Sequence, residues 1–167
     1  MKNKKEKINR RGFIEQSAKI TAAGIMLSRL PAKSKKLFSI EGEIKVALIG
    51  CGGRGTGAVS QALEADQDVR IVAMADAFRD RVDECLESLS EKYPNSERIN
   101  INDDVIFIGF DGYKEAIDLA DVVILTTPPA FRPLHFEYAI SKNKHVFMEK
   151  PVATDVAGIK KVLKAGK

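Results

Sequence analysis

Tryptophan is absent from the 167-residue chain, and histidine and cysteine occur only twice each. Cys51 stands in a glycine-rich stretch and Cys85 in a helical pattern, a usage that builds neither a disulfide framework nor a thiolate cluster. Free thiols are expected. His135 and His145 fall in separate segments, with no second nitrogen or thiolate at ligand spacing, so no metal site is expected. Long apolar runs are missing too. Gly12 to Leu30 comes nearest, but Glu15, Lys19 and Arg29 interrupt it, whereas a membrane span needs about twenty apolar residues. Internal repeats and low-complexity segments are also lacking.

What is present is the balance of a globular protein, 44% hydrophobic and 30% charged. The net charge of +4 is unevenly placed. Residues 1–36 hold eleven Lys/Arg against two Glu, a net of +9, and from Leu37 onward sixteen basic residues face twenty-one acidic ones, a net of −5. A nucleic-acid protein carries its positive charge on the folded body, and this body is mildly acidic, so nucleic acid is not an expected partner.

The basic start has a pattern of its own. Asn9-Arg10-Arg11-Gly12-Phe13-Ile14 and the weakly apolar Ala18 to Leu27 resemble a twin-arginine export signal. Glu15 stands where such signals often carry Lys, and the nearest cleavage candidate is Leu30-Pro31-Ala32-Lys33 rather than a clear Ala-x-Ala. Export to the periplasm by that route is the expectation, with a plain basic tail on a cytoplasmic protein as the alternative. Twin-arginine signals serve proteins exported already folded. Residues 1–36 are read as leader, 37–43 as linker and 44–167 as the body.

In the body, Ile44 to Ile49 is a compact apolar run of strand length ending at glycine, followed by a helical pattern from Arg54 to Ala65. Val69 to Ala75 is a second strand closed by Asp76, which completes one βαβ unit. Arg79 to Tyr93 has Val82, Leu86 and Leu89 at helical spacing before Pro94-Asn95 stops it. Val105 to Ile108 is the expected third strand, Tyr113 to Leu119 a short helix and Asp121 to Thr127 the fourth strand. Pro133 to Lys142 is helical, His145 to Met148 the fifth strand, and Thr154-Asp155 caps a last helix running toward Lys164. Near-continuous apolar strands alternating with helices predict an α/β fold, a parallel doubly wound sheet covered on both faces. Such a sheet has a sixth strand, and the chain reads as truncated before it.

Gly50-Cys51-Gly52-Gly53-Arg54-Gly55 fits G-x-G-x-x-G and occupies the first strand-to-helix turn, the context that gives the pattern meaning. Gly50 permits the tight turn, Gly52 lets backbone approach a pyrophosphate, and Gly55 allows helix to pack closely on strand. The helix N-terminus would face the anion with unpaired N–H groups. A purely structural glycine-rich turn is the alternative. Asp76 lies twenty-one residues after Gly55, where a carboxylate accepts hydrogen bonds from the adenosine ribose hydroxyls and repels a 2′-phosphate, favouring NAD over NADP. Arg79 and Arg81 are close enough to accommodate such a phosphate, so NADP stays open as cofactor, and a helix cap or solvated loop charge stays open as the role of Asp76.

On these residues the chain from Ile44 to Gly166 resembles the N-terminal domain of the Gfo/Idh/MocA oxidoreductases. The carrying motifs are Val46 to Gly55, Thr127-Pro128 with His135 downstream, and Lys144-His145-Val146-Phe147-Met148-Glu149-Lys150-Pro151. With the leader, the chain is similar to the exported branch of that family. The resemblance implies that Thr126, Thr127 and Pro128 contact the nicotinamide-side ribose and pyrophosphate, and that Glu149 and Lys150, before Pro151, reach toward nicotinamide and substrate. It makes Lys150 the catalytic candidate, a cationic donor near the oxygen that changes charge as hydride leaves its carbon. Read on its own, Lys150 is also an exposed loop lysine, and His135 is either a ribose contact or a helix-packing residue. The implied activity is hydride transfer at a sugar or cyclitol hydroxyl carbon. Gly52-Gly53-Arg54-Gly55-Thr56-Gly57 and the leader also resemble the NAD-dependent glycosidases of the same family, the second reading, and a non-catalytic nucleotide-binding fragment is the third. The substrate-reading and acid–base residues of the family come from an α+β second domain outside this chain, and an uncovered sheet edge would favour homo-oligomers.

Overall fold

The computed structural model describes residues 42–99 and 101–167, so the basic leader and linker residues 37–41 lie outside the described residues. Five strands alternate with five helices: β1 (Ile44–Ile49), α1 (Gly53–Ala65), β2 (Val69–Asp76), α2 (Arg79–Lys92), β3 (Ile106–Ile108), α3 (Tyr113–Asp118), β4 (Val122–Leu125), α4 (Arg132–Ser141), β5 (His145–Met148) and α5 (Val156–Ala165). All strand pairs are parallel, in the order β3-β2-β1-β4-β5. The chain thus builds outward from β1 to β3, then crosses back to lay β4 against the other side of β1. The C-terminal ends of β1 and β4 form a topological switch point, where open α/β sheets carry their ligands.

The apolar strands alternate between two cores. Val46 and Leu48 of β1 face α1 and α2 through Val59, Leu63, Val82 and Leu89, while Ala47 and Ile49 face α3 and α4 through Ala116, Ile117 and Ala139. Both faces being dry explains why β1 tolerates no polar residue between Val46 and Ile49. Burying a side chain such as Leu48, which is fully enclosed, contributes about 1.5–3 kcal/mol. Among the described residues both cysteines are free and buried in the first of these cores.

Element ends depart from the sequence expectations by a residue or two, each for a local reason. Val105 closes a 3₁₀ turn, Asp103–Val105, because the Asn102 side chain accepts the Asp104 N–H and winds the backbone before β3 begins. The fourth strand ends at Leu125 rather than Thr127, since the Thr126 hydroxyl turns back to donate to the Ile49 and Gly50 carbonyls. The last helix begins as its cap requires, with the Asp155 carboxylate accepting the Gly158 N–H at 2.6 Å.

Candidate cofactor site at the switch point

The turn after β1 is built by close approach. Gly50 has φ +98°, and a Cβ there would stand 2.6 Å from the Thr127 nitrogen. A Cβ at Gly55 would overlap the Gly50 carbonyl oxygen and meet the Thr126 hydroxyl oxygen at 2.8 Å. These two glycines are demanded by the protein itself. Gly52 and Gly53 are not, since a Cβ on either meets no atom of the described residues within 4 Å. The turn is pinned from both flanks, by the Gly50 N–H donating to Ala75 O (2.8 Å) and the Thr126 hydroxyl donating to Gly50 O (2.6 Å).

Helix α1 starts on this turn with Gly52 as N-cap, no side chain capping it and no acidic residue in its first turn. Its leading N–H groups and the positive end of its dipole point into the space that the two unconstrained glycines leave open. Beside it, the Asp76 carboxylate accepts the Cys51 N–H at 2.7 Å and the Phe78 N–H at 3.1 Å, one on each oxygen. Asp76 therefore ties the glycine turn to the end of β2 and still has a lone pair on each oxygen for a ligand hydroxyl.

These groups wall a cleft of about 480 Å³, within the range of about 300–1,000 Å³ common for small-molecule sites. Of the residues singled out by sequence, Gly50, Gly52, Gly53, Arg54, Asp76, Thr126, Thr127, Pro128 and His135 line it, and Gly55 braces it from behind. Glu149, Lys150 and Pro151 follow β5 beside the cleft and are not part of its wall. Glu149 is buried and ion-paired with Arg54, whose guanidinium holds its carboxyl below the usual carboxylate range, while Lys150 is exposed. Arg79 is engaged by Asp83 and Asp103 on the surface; Arg81, paired with Glu84, does line the cleft.

His135 lines the cleft from a buried position. Its ring lies 4.3 Å from that of Tyr113, its Nδ1 is 3.2 Å from the Thr127 hydroxyl, and burial lowers its pKa to about 4, so the imidazole is neutral at physiological pH. Four further residues go beyond the sequence expectations. Phe78, Phe110 and Phe131 stand exposed on the cleft wall, with Phe110 and Phe131 stacked at 5.8 Å. Arg132, by contrast, is 6% exposed. No local signal marks them: Pro133 fixes the first turn of the helix but does not say which of Phe131 and Arg132 is enclosed.

A parallel doubly wound sheet, a glycine turn feeding an uncapped helix at its switch point and a carboxylate closing the second strand define a dinucleotide-binding domain of the Rossmann class. Residues 44–167 match the family model described as the Gfo/Idh/MocA oxidoreductase family, NAD-binding Rossmann fold, and the chain belongs to that family. Two curated relatives are each named glycosyl hydrolase family 109 protein. The one from Shewanella pealeana is 28% identical over 90% of this chain and 35% of its own length, and the one from Solibacter usitatus 27% identical over 90% and 34%. The chain thus spans about a third of these relatives. Among solved structures, myo-inositol dehydrogenase from Lactobacillus casei, in complex with NAD(H) and myo-inositol, superposes with a TM-score of 0.60 at 18% identity, over 74% of this chain and 33% of that one. The likeness is one of fold.

Proposed function

We propose that residues 44–167 are the cofactor domain of an enzyme that moves hydride between NAD and a hydroxyl-bearing carbon of a sugar or cyclitol. The observation that carries this reading is the space at Gly52 and Gly53. Nothing among the described residues needs a glycine at either position, yet together they leave an uncapped helix N-terminus bare where a pyrophosphate would rest. On the β2 side, Asp76 is placed for the adenosine ribose, and the exposed rings of Phe78 and Phe110 offer apolar surface to the adenine. On the β4 side, Thr126, Thr127 and Pro128 bound the nicotinamide half, and Glu149-Lys150 follow beside them. The bound nicotinamide would supply the hydride chemistry. Lys150 would hold the reacting hydroxyl and stabilise its oxygen as charge develops there.

The adenosine assignment has a direct check. Asp76→Asn keeps one acceptor for the glycine turn but removes the negative charge, so NAD should bind about 1–2 kcal/mol more weakly while NADP loses less or gains. Arg81 on the cleft wall supplies the cation a 2′-phosphate would need. Parallel titrations with both cofactors read the outcome, and an unchanged NADP-to-NAD ratio would remove Asp76 from the site.

A second reading is favoured by the names of the two curated relatives. In it, oxidation at one ring carbon is transient and serves glycoside cleavage, with the cofactor restored each cycle. The full-length protein, assayed on sugars, cyclitols and aryl glycosides, separates the two. Net NAD reduction marks the dehydrogenase, and glycoside release with no net change in NAD marks the hydrolase. Neither product would refute both.

The leader reading belongs with this proposal: residues 1–36 would send the folded, loaded protein across a membrane by the twin-arginine route. Changing Arg10 and Arg11 together to Lys should leave the protein in the cytoplasm of a cell with that translocase. Undiminished export of the double variant would contradict the signal.

A further inference from the structure

Arg132 opens helix α4, at the dipole end that disfavours a cation, and is nonetheless almost completely enclosed. Three backbone carbonyls explain the placement. The Arg132 Nε donates to Thr127 O at 2.6 Å, and its Nη1 donates to Glu149 O at 2.7 Å and to Pro151 O at 2.6 Å. The first acceptor belongs to the segment after β4 and the other two to the segment after β5, so one guanidinium joins the two loops at the C-terminal edge of the sheet. The planar fork of Arg is the side chain that can meet acceptors on two loops at once; a Lys ammonium is a compact head that cannot span them.

The residues so joined carry the nicotinamide side of the proposed site. Thr127 is held twice, its carbonyl by Arg132 and its hydroxyl beside His135 Nδ1. Lys150 sits between the two carbonyls that Arg132 grips, at Glu149 and Pro151. Glu149 adds a charge partner for Arg132, and its own carboxylate pairs with Arg54 of the glycine turn. The adenosine side, formed by Asp76, Phe78 and Phe110, receives none of these bonds.

We propose that Arg132 is a positioning residue that fixes the Glu149-Lys150-Pro151 turn at a set distance from Thr127, so that the nicotinamide half of the site is assembled independently of the adenosine half. This rests on the cofactor reading above and goes beyond it by naming the group that sets the spacing. The consequence is a split in binding. Binding to a turn that must first be ordered is weaker than binding to one already fixed, so a loosened turn should tell on the nicotinamide end alone.

The test compares ADP, which reports the adenosine half, with NADH, whose nicotinamide fluorescence reports the other half, on the full chain. In Arg132→Ala, ADP affinity should stay within about twofold of wild type while NADH binds at least about tenfold more weakly and its bound-state emission shifts toward that of free NADH. Methylguanidinium should restore the emission in the Ala variant and leave wild type unaffected. Arg132→Lys keeps the charge and should show the same split in smaller measure. The proposal is overturned if ADP and NADH weaken together in both variants, if neither weakens, or if both variants lose ADP binding altogether, which would make Arg132 a requirement of the fold. Wild type that binds ADP and NADH equally poorly would instead sink the cofactor reading itself.

Discussion

Gly55→Ala is expected to destabilise the domain by about 3 kcal/mol, the upper end of what an overpacked buried position costs. The added methyl has nowhere to go. It would overlap the Gly50 carbonyl oxygen and crowd the Thr126 hydroxyl, and both belong to the hydrogen bond that pins the glycine turn to β4. Relief requires α1 to move off β1, and α1 carries Val59 and Leu63, which are fully buried in the core on that face of the sheet. Urea unfolding of both proteins, at unchanged slope, measures the difference. A loss within about 0.5 kcal/mol, the range of an ordinary surface substitution, would show that the turn is not as tight as the geometry has it.

Lys150→Met in the full-length protein should lower turnover by about 10²–10⁴-fold with NAD affinity unchanged within a factor of two or so. Met keeps the length and apolar stem of the side chain and removes only the charged donor. The turn is held through the Glu149 and Pro151 carbonyls and not through the exposed Lys150 side chain, so the substitution leaves the cofactor's seat in place. Stopped-flow reduction of NAD on a substrate of the wild-type protein isolates the chemical step. If turnover survives the substitution, the proton-handling role belongs to another residue.

How much of this could be read from the chain depended on whether local chemistry or tertiary contact decided the outcome. The inner strands β1, β2 and β4 were legible because burial makes them near-continuous apolar runs, as in Val46-Ala47-Leu48-Ile49. The glycine turn was legible because its spacing is dictated by a strand, a turn and a helix that follow one another directly. Element ends were less so, as at Val105, where a single Asn102 side chain outweighs the β-branched preference for strand. Phe131-Arg132 is the clearest case of illegibility. Ordinary patterning buries the phenylalanine and exposes the arginine, whereas Phe131 is 39% exposed and Arg132 6%. The inversion comes from three carbonyls that converge only after β4 and β5 have paired, and nothing local to the tripeptide announces them. The pairing of Arg54 with Glu149, ninety-five residues apart, is hidden for the same reason.

The central claim is that the open space at the glycine turn exists for a dinucleotide, and Gly52→Val tests it most directly. Gly52 has φ −69°, a conformation any residue adopts, and a Cβ there touches nothing among the described residues, so the variant should unfold at the same urea concentration as wild type. Its isopropyl group would nonetheless occupy the approach to the α1 N-terminus. Calorimetric titration should therefore show NAD binding in wild type and none in the variant, with stability unchanged. Equal NAD affinity in the two proteins would mean that the pyrophosphate does not rest on this turn.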